Sequence, residues 1–128
     1  MDSNEIEDFK NREKREVERF HGSIVEYSFD KDNLVKKTAF IKDISIKGVC
    51  IIVNKQIELA TTLYLSICLP GINPPIDVVG QVIWQNTSTE FADDPSNYFD
   101  IGVAFIELND YNLGRLMRIL HITKPYKS

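Results

Sequence analysis

The chain has 128 residues, with fifteen Lys and Arg against nineteen Asp and Glu, a net charge of -4, and hydrophobic and charged shares of 43% and 27%. These values fit one globular domain with its own core and exclude a largely disordered chain. The acidic balance argues against coating nucleic acid through many phosphate contacts. No apolar stretch approaches the ~20 residues of a membrane span, and the acidic start Met1-Asp2-Ser3-Asn4-Glu5 is unlike a signal peptide, so no membrane insertion and a cytoplasmic location are expected.

Residues 1–19 are dense in mixed charge, with only Ile6, Phe9 and Val17 as sizeable apolar groups after Met1, and read as a charged N-terminal arm that buries little by itself. From Gly22 the texture becomes β. Ser23–Phe29 is a first strand, and Asp30–Asn33 a turn. Thr38–Ile44 and Val49–Val53 flank a short polar connection, and Thr62–Leu69 alternates Leu63, Leu65, Ile67 and Leu69 on one face. Pro70-Gly71-Ile72-Asn73-Pro74-Pro75 breaks the chain. Asp77–Gln85 is a fifth strand, Asn86–Asn97 a polar loop, and Tyr98–Phe105 a sixth strand with Ile101, Val103 and Phe105 on one face. Asn109-Asp110 offers N-cap chemistry, and Leu113, Leu116, Met117 and Leu120 follow at helical spacing. Six short strands and one helix predict an all-β fold, an antiparallel barrel or sandwich with a C-terminal helix. The helix stripe is expected to cap one end or face of it, or to meet a second subunit. Arg115, Arg118, Lys124 and Lys127 make the C-terminal end locally basic, as the helix dipole favours.

No catalytic set is evident. His21 and His121 read as packing or surface histidines, and Asp93-Asp94 as solvated loop residues. There is no Gly-rich phosphate loop of the Walker or dinucleotide type. Cys50 and Cys68 are too few for a disulfide framework, are not spaced as a metal clip, and are expected as buried free thiols. The expectation is a binding protein, not an enzyme, with no metal and no catalytic cofactor.

Two constellations stand out. Arg15 and Arg19 are four apart just before the first strand. The guanidinium fork matches phosphate oxygens and the O6 and N7 edge of guanine, although arginines four apart are also common surface residues beside acids such as Glu16 and Glu18. Asp43-Ile44-Ser45-Ile46-Lys47-Gly48 joins two strands. Its carboxylate can accept from a guanine edge or orient an arginine, its hydroxyl both donates and accepts, and Gly48 allows a positive φ and a close backbone approach. The same string also suits an ordinary Asp/Ser turn closed by glycine.

Together, Arg15-x-x-x-Arg19 followed by Asp43-x-Ser45-x-x-Gly48 resembles the PilZ domain family of cyclic di-GMP receptors. Gly80-Gln81-Val82-Ile83-Trp84 and Ile101-Gly102-Val103-Ala104-Phe105 are similar to that family's later strands, and the resemblance runs from about Lys14 to Leu120. It implies a six-stranded antiparallel PilZ-type β-barrel of about residues 22–106, with one C-terminal α-helix of about 110–121. The implied organisation is a flexible arm at 1–13, the domain at 14–122 and a basic tail at 123–128. The implied ligand is cyclic di-GMP, bound by Arg15 and Arg19 with Lys14 as a secondary contact and by Asp43, Ser45 and Gly48. Gly80 and Gly102 would be structural, and Trp84 would pack on the barrel wall. Closure of the arm over the ligand would relay a signal to an unidentified downstream protein, from a monomer or homodimer. Two other readings stay open: a PilZ-like interaction module that binds no nucleotide, and an oligonucleotide-binding small barrel. The acidic charge and the lack of an evident exposed aromatic row count against the second.

Overall fold

In the computed structural model, residues 23–32, 35–88 and 97–120 are described. Six strands follow in chain order: β1 (Ile24–Ser28), β2 (Lys37–Ile44), β3 (Gly48–Val53), β4 (Thr62–Cys68), β5 (Ile76–Thr87) and β6 (Phe99–Glu107). One helix, α1 (Asp110–Ile119), follows them. Every strand pairing is antiparallel, and the order β1-β2-β3-β6-β5-β4 closes into a barrel because β1 pairs with both β2 and β4. Closure gives each described strand a neighbour on both sides, so none of them is a sheet-edge strand.

Alternation fills the barrel as the sequence predicts. Val25, Ile41, Ile51, Leu63, Ile67, Ile76 and Ile101 are each at most 1% exposed and point inward. Full burial of each such side chain stabilises the fold by about 1.5–3 kcal/mol. Burial also raises the pKa of the Tyr27 phenol on β1. Two edges differ from expectation. Phe29 is 51% exposed, past the end of β1. Cys50 and Cys68 form no disulfide and are only half-buried, because they occupy outward positions of β3 and β4.

The helix closes the end of the barrel where β5 begins. Its N-cap is Asn109, whose Oδ1 accepts from the Asn112 amide at 2.8 Å. Leu116 enters the core at 0% exposure, and Ile119 and Leu120 pack against it. This places Leu116 and Leu120 of the stripe against the barrel of its own chain. The polar side chains of that face were not foreseen as buried. Arg115 is 7% exposed; it donates to the Pro74 carbonyl and, at 3.0 Å, to Asn112 Oδ1, and lies over the Tyr111 ring. Asn112 donates in turn to the Asp77 carbonyl at 3.3 Å. Arg115 thus clamps the helix to the β4–β5 connection and is no part of a solvated basic end.

Among the described residues no helix is long and apolar enough to cross a membrane. Nor do three or more His, Cys, Asp or Glu gather where they could hold a metal ion.

Candidate functional site

The connection between β2 and β3 is a tight hydroxyl-stabilised turn. Ser45 N donates to the Gly48 carbonyl at 2.9 Å, and Ser45 Oγ accepts from the Lys47 amide at 3.1 Å. The Lys47 carbonyl accepts from Phe105 N at 2.9 Å, tying the turn to β6. Gly48 does not use the positive φ that glycine allows. A Cβ there would overlap the Val103 carbonyl oxygen, so the glycine is required by the approach of β6. The close backbone approach is real, and its partner is a neighbouring strand.

Register sets what stands beside this turn. Asp43 pairs with Cys50, Cys50 with Gly102, and Gly102 with Trp84. Lateral partners share a face, so these four residues form one row across the outer wall over β2, β3, β6 and β5. Two bulges make the row possible. In β2 the register shifts between Ile41 and Asp43, so Ile41 and Ile44 both face the core while Lys42 and Asp43 both face out. In β5 it shifts between Val82 and Trp84, and Ile83 and Trp84 are 54% and 41% exposed. An inserted residue resets the two-residue period, which is how bulges re-aim side chains.

The result is an open cleft of about 320 Å³ under the β2–β3 turn. Cys50 and Gly102 form its floor, Asp43, Ser45 and Lys47 one side, and Ile83 and Trp84 the other. Trp84 lies flat over Gly102, where a Cβ would collide with the indole. The tryptophan is therefore a half-open aromatic surface lining the cleft, and not simply wall packing as expected. Its pairing of carboxylate, hydroxyl, ammonium and indole suits a planar heterocycle with hydrogen-bonding edges and an attached anion.

Of the sequence-predicted site residues, Asp43, Ser45 and Gly48 come together here. Lys14, Arg15 and Arg19 lie outside the described residues. So do His21, His121 and Asp93-Asp94. The arm's attachment point is described: Ile24 pairs with Phe40, three positions before Asp43 on β2. Because the strands are antiparallel, the start of β1 is the end that lies toward Asp43 on β2. Arg19 is four residues and Arg15 eight residues before Ser23, extended spans of at most about 14 Å and 28 Å.

Sequence reasoning missed Trp84, Ile83, Cys50 and Lys47 as lining residues. The one usable signal was a tryptophan and a glycine in separate β motifs, since the missing Cβ of Gly102 makes room for the Trp84 ring. Below the floor on the same outer face, Lys42 Nζ meets Asp100 Oδ2 at 2.6 Å. A second groove of about 620 Å³ runs along β4–β6 past Tyr64, Asp77 and Glu107, and it carries none of the motif residues.

The model of the PilZ domain family matches residues 13–121. No curated protein matches the sequence. Among solved structures, the Bacillus subtilis inhibitor of motility MotI/DgrA superposes with a TM-score of 0.62 at 13% identity, covering 78% of this chain and 46% of its own. The K. pneumonia MrkH–c-di-GMP complex gives 0.61 at 18% identity, with 77% and 45% covered. Borreliella burgdorferi PlzA in complex with c-di-GMP gives 0.50 at 8% identity, with 89% and 56% covered. At these identities the likeness establishes the fold. The chain spans about half the length of the solved structures it matches.

Proposed function

The chain belongs to the PilZ domain family, and from that premise we propose that it is a receptor for cyclic di-GMP which passes the signal to a partner protein. The observation that carries this reading is the gathering of Asp43, Ser45, Lys47 and Trp84 around one cleft, with the attachment of the arginine-bearing arm beside it. Binding of c-di-GMP by structural neighbours that share the fold supports it.

The mechanism follows from the ligand's chemistry. Two phosphates and two guanines call for charge neutralisation and edge recognition. Arg15 and Arg19 supply guanidinium forks for phosphate oxygens or for guanine O6 and N7. Lys14 and Lys47 add positive charge. Asp43 accepts from guanine N1–H and N2–H or orients an arginine, and Ser45 and the main chain at Gly48 line the adjoining surface. Trp84 offers a face on which a base or a guanidinium stacks, worth about 1–3 kcal/mol per base. Ordering the arm costs ~1–2 kcal/mol per residue in backbone entropy. Ligand contacts must offset that cost, so arm closure is ligand-dependent and serves as the signal. The domain unit is residues 14–122, with the arm before it and the basic tail 123–128 after it. The receptor works in the cytoplasm, has no enzymatic activity, and acts as a monomer or homodimer.

Calorimetric titration with cyclic di-GMP tests the reading. Arg15→Ala, Arg19→Ala and Asp43→Ala each remove a charge-assisted contact worth about 1.5–3 kcal/mol, or roughly 10- to 150-fold in Kd. Equal affinity of all three variants and wild type would sink the assigned site. A flat titration of folded wild-type protein would favour a protein-interaction module instead.

A further inference from the structure

We propose that Asp100 is a positioning residue for the cleft: by holding Lys42 it fixes the β2 bulge that turns Asp43 outward. The role of Asp43 toward the ligand rests on the receptor reading; the positioning itself rests on geometry alone.

Lys42 is the extra residue of that bulge, between Ile41 and Asp43 in the pairing with β3. Strict alternation from the buried Ile41 would place Lys42 outward and Asp43 inward, in the core. The bulge prevents this and leaves two consecutive charged side chains on the outer wall. Lys42 does not simply extend into water. Its Nζ crosses β3 to meet Asp100 Oδ2 on β6 at 2.6 Å, and the two side chains are only 23% and 10% exposed. Asp100 stands level with Ile52 and Asn86, two residues before Gly102 on the same face. One ion pair thus ties the bulge to the strand that forms the cleft floor.

The cost of this arrangement points to its role. Asp100 Oδ1 is buried and has no hydrogen-bond partner among the described residues. A buried carboxylate with one oxygen unsatisfied is a poor way to stabilise a sheet, and a matched apolar pair at such positions is often neutral or better. What an apolar pair lacks is direction. The short charged link sets the path of β2 at the bulge, and with it the aim of the next side chain, Asp43.

The test replaces the pair by apolar residues, Lys42→Met with Asp100→Leu, in the full chain. The expected result is an unchanged or raised melting temperature together with amide exchange at Asp43 and Ile44 faster by about tenfold. Cyclic di-GMP affinity should fall by about tenfold, and by less than twofold when the same pair is replaced in an Asp43→Asn background. Asp100→Asn alone should reproduce the faster exchange. Unchanged exchange at Asp43, an affinity loss that persists in the Asp43→Asn background, or failure of the double variant to fold would each overturn the proposal. Absence of cyclic di-GMP binding by wild-type protein would overturn the receptor reading alone, and the exchange measurement would still decide the positioning role.

Discussion

Substituting Gly48 by alanine tests whether the glycine of the β2–β3 turn is required by packing. The new methyl would sit inside 3.0 Å of the Val103 carbonyl oxygen, a backbone atom with no rotamer to change. Relief requires β3 and β6 to separate where Gly48 pairs with Ala104 and where Phe105 N donates to the Lys47 carbonyl. Overpacking of this kind costs about 1–3 kcal/mol. Because Gly48 does not adopt a positive φ, alanine also restricts the unfolded chain and returns about 0.4–1 kcal/mol. The net is a loss of roughly 1–2 kcal/mol, which for a domain of this size lowers Tm by about 4–8 °C. Gly114→Ala is the internal control. Its nearest neighbour would be Arg118 Nη1 at 3.8 Å, an ordinary contact, and the site is helical. That change should stabilise by up to about 1 kcal/mol. Thermal denaturation followed by far-ultraviolet circular dichroism reads both variants. If Gly48→Ala melts at or above the wild-type temperature while Gly114→Ala behaves as expected, close packing against Val103 is not the reason for the glycine.

Three further outcomes are expected. Gly102→Ala drives a methyl into the Trp84 indole, which can swing away, so tryptophan emission shifts to the red and cyclic di-GMP affinity drops by about tenfold or more as the stacking surface is lost; unaltered emission would refute the seating of the ring. Arg115→Leu removes the buried bonds to Pro74 and Asn112 and lowers stability by about 1.5–3 kcal/mol in chemical denaturation, where no change would show that the clamp carries no energy. Burial, and then the carboxylates of Glu26 and Asp77, raises the Cys68 pKa above the ordinary thiol value. The folded state therefore holds this proton more tightly than the unfolded state, and the associated stability is complete below the unfolded pKa and is lost as pH rises through the folded one. Alkylation of Cys68 near pH 8, read by mass spectrometry, should be slower than for a free thiol and should speed up in Glu26→Gln.

Much of the fold was written locally. The alternation of Leu63, Leu65 and Ile67 and of Ile101 and Val103 marked strands with one buried face, and Asn109 marked the start of the helix. Asp43, Ser45 and Gly48 could be singled out because the turn places them within six residues of one another. The helix face was read less well. Spacing drew attention to Leu113 and Met117, which are only half-buried, while Asn112 and Arg115 are the buried partners of Leu116. Composition treats an arginine as surface; here the Pro74 carbonyl of the β4–β5 connection and the Asn112 side chain supply its acceptors, and the apolar spacing of the helix does not encode them.

The sequence alone settled the class of the protein, because strand period, turn chemistry and spaced motifs are properties of consecutive residues. Only the tertiary structure decided what surrounds the turn. Asp43, Cys50, Gly102 and Trp84 are spread over forty-two positions of the chain, yet stand in one row. That row depends on register across four strands and on two inserted residues that reverse the inward–outward order. A bulge leaves the apolar pattern around it almost unchanged, since Ile41 and Ile44 look alike on either reading. Its consequence, a carboxylate and a tryptophan lining one cleft on the barrel wall, exists only once the strands are paired.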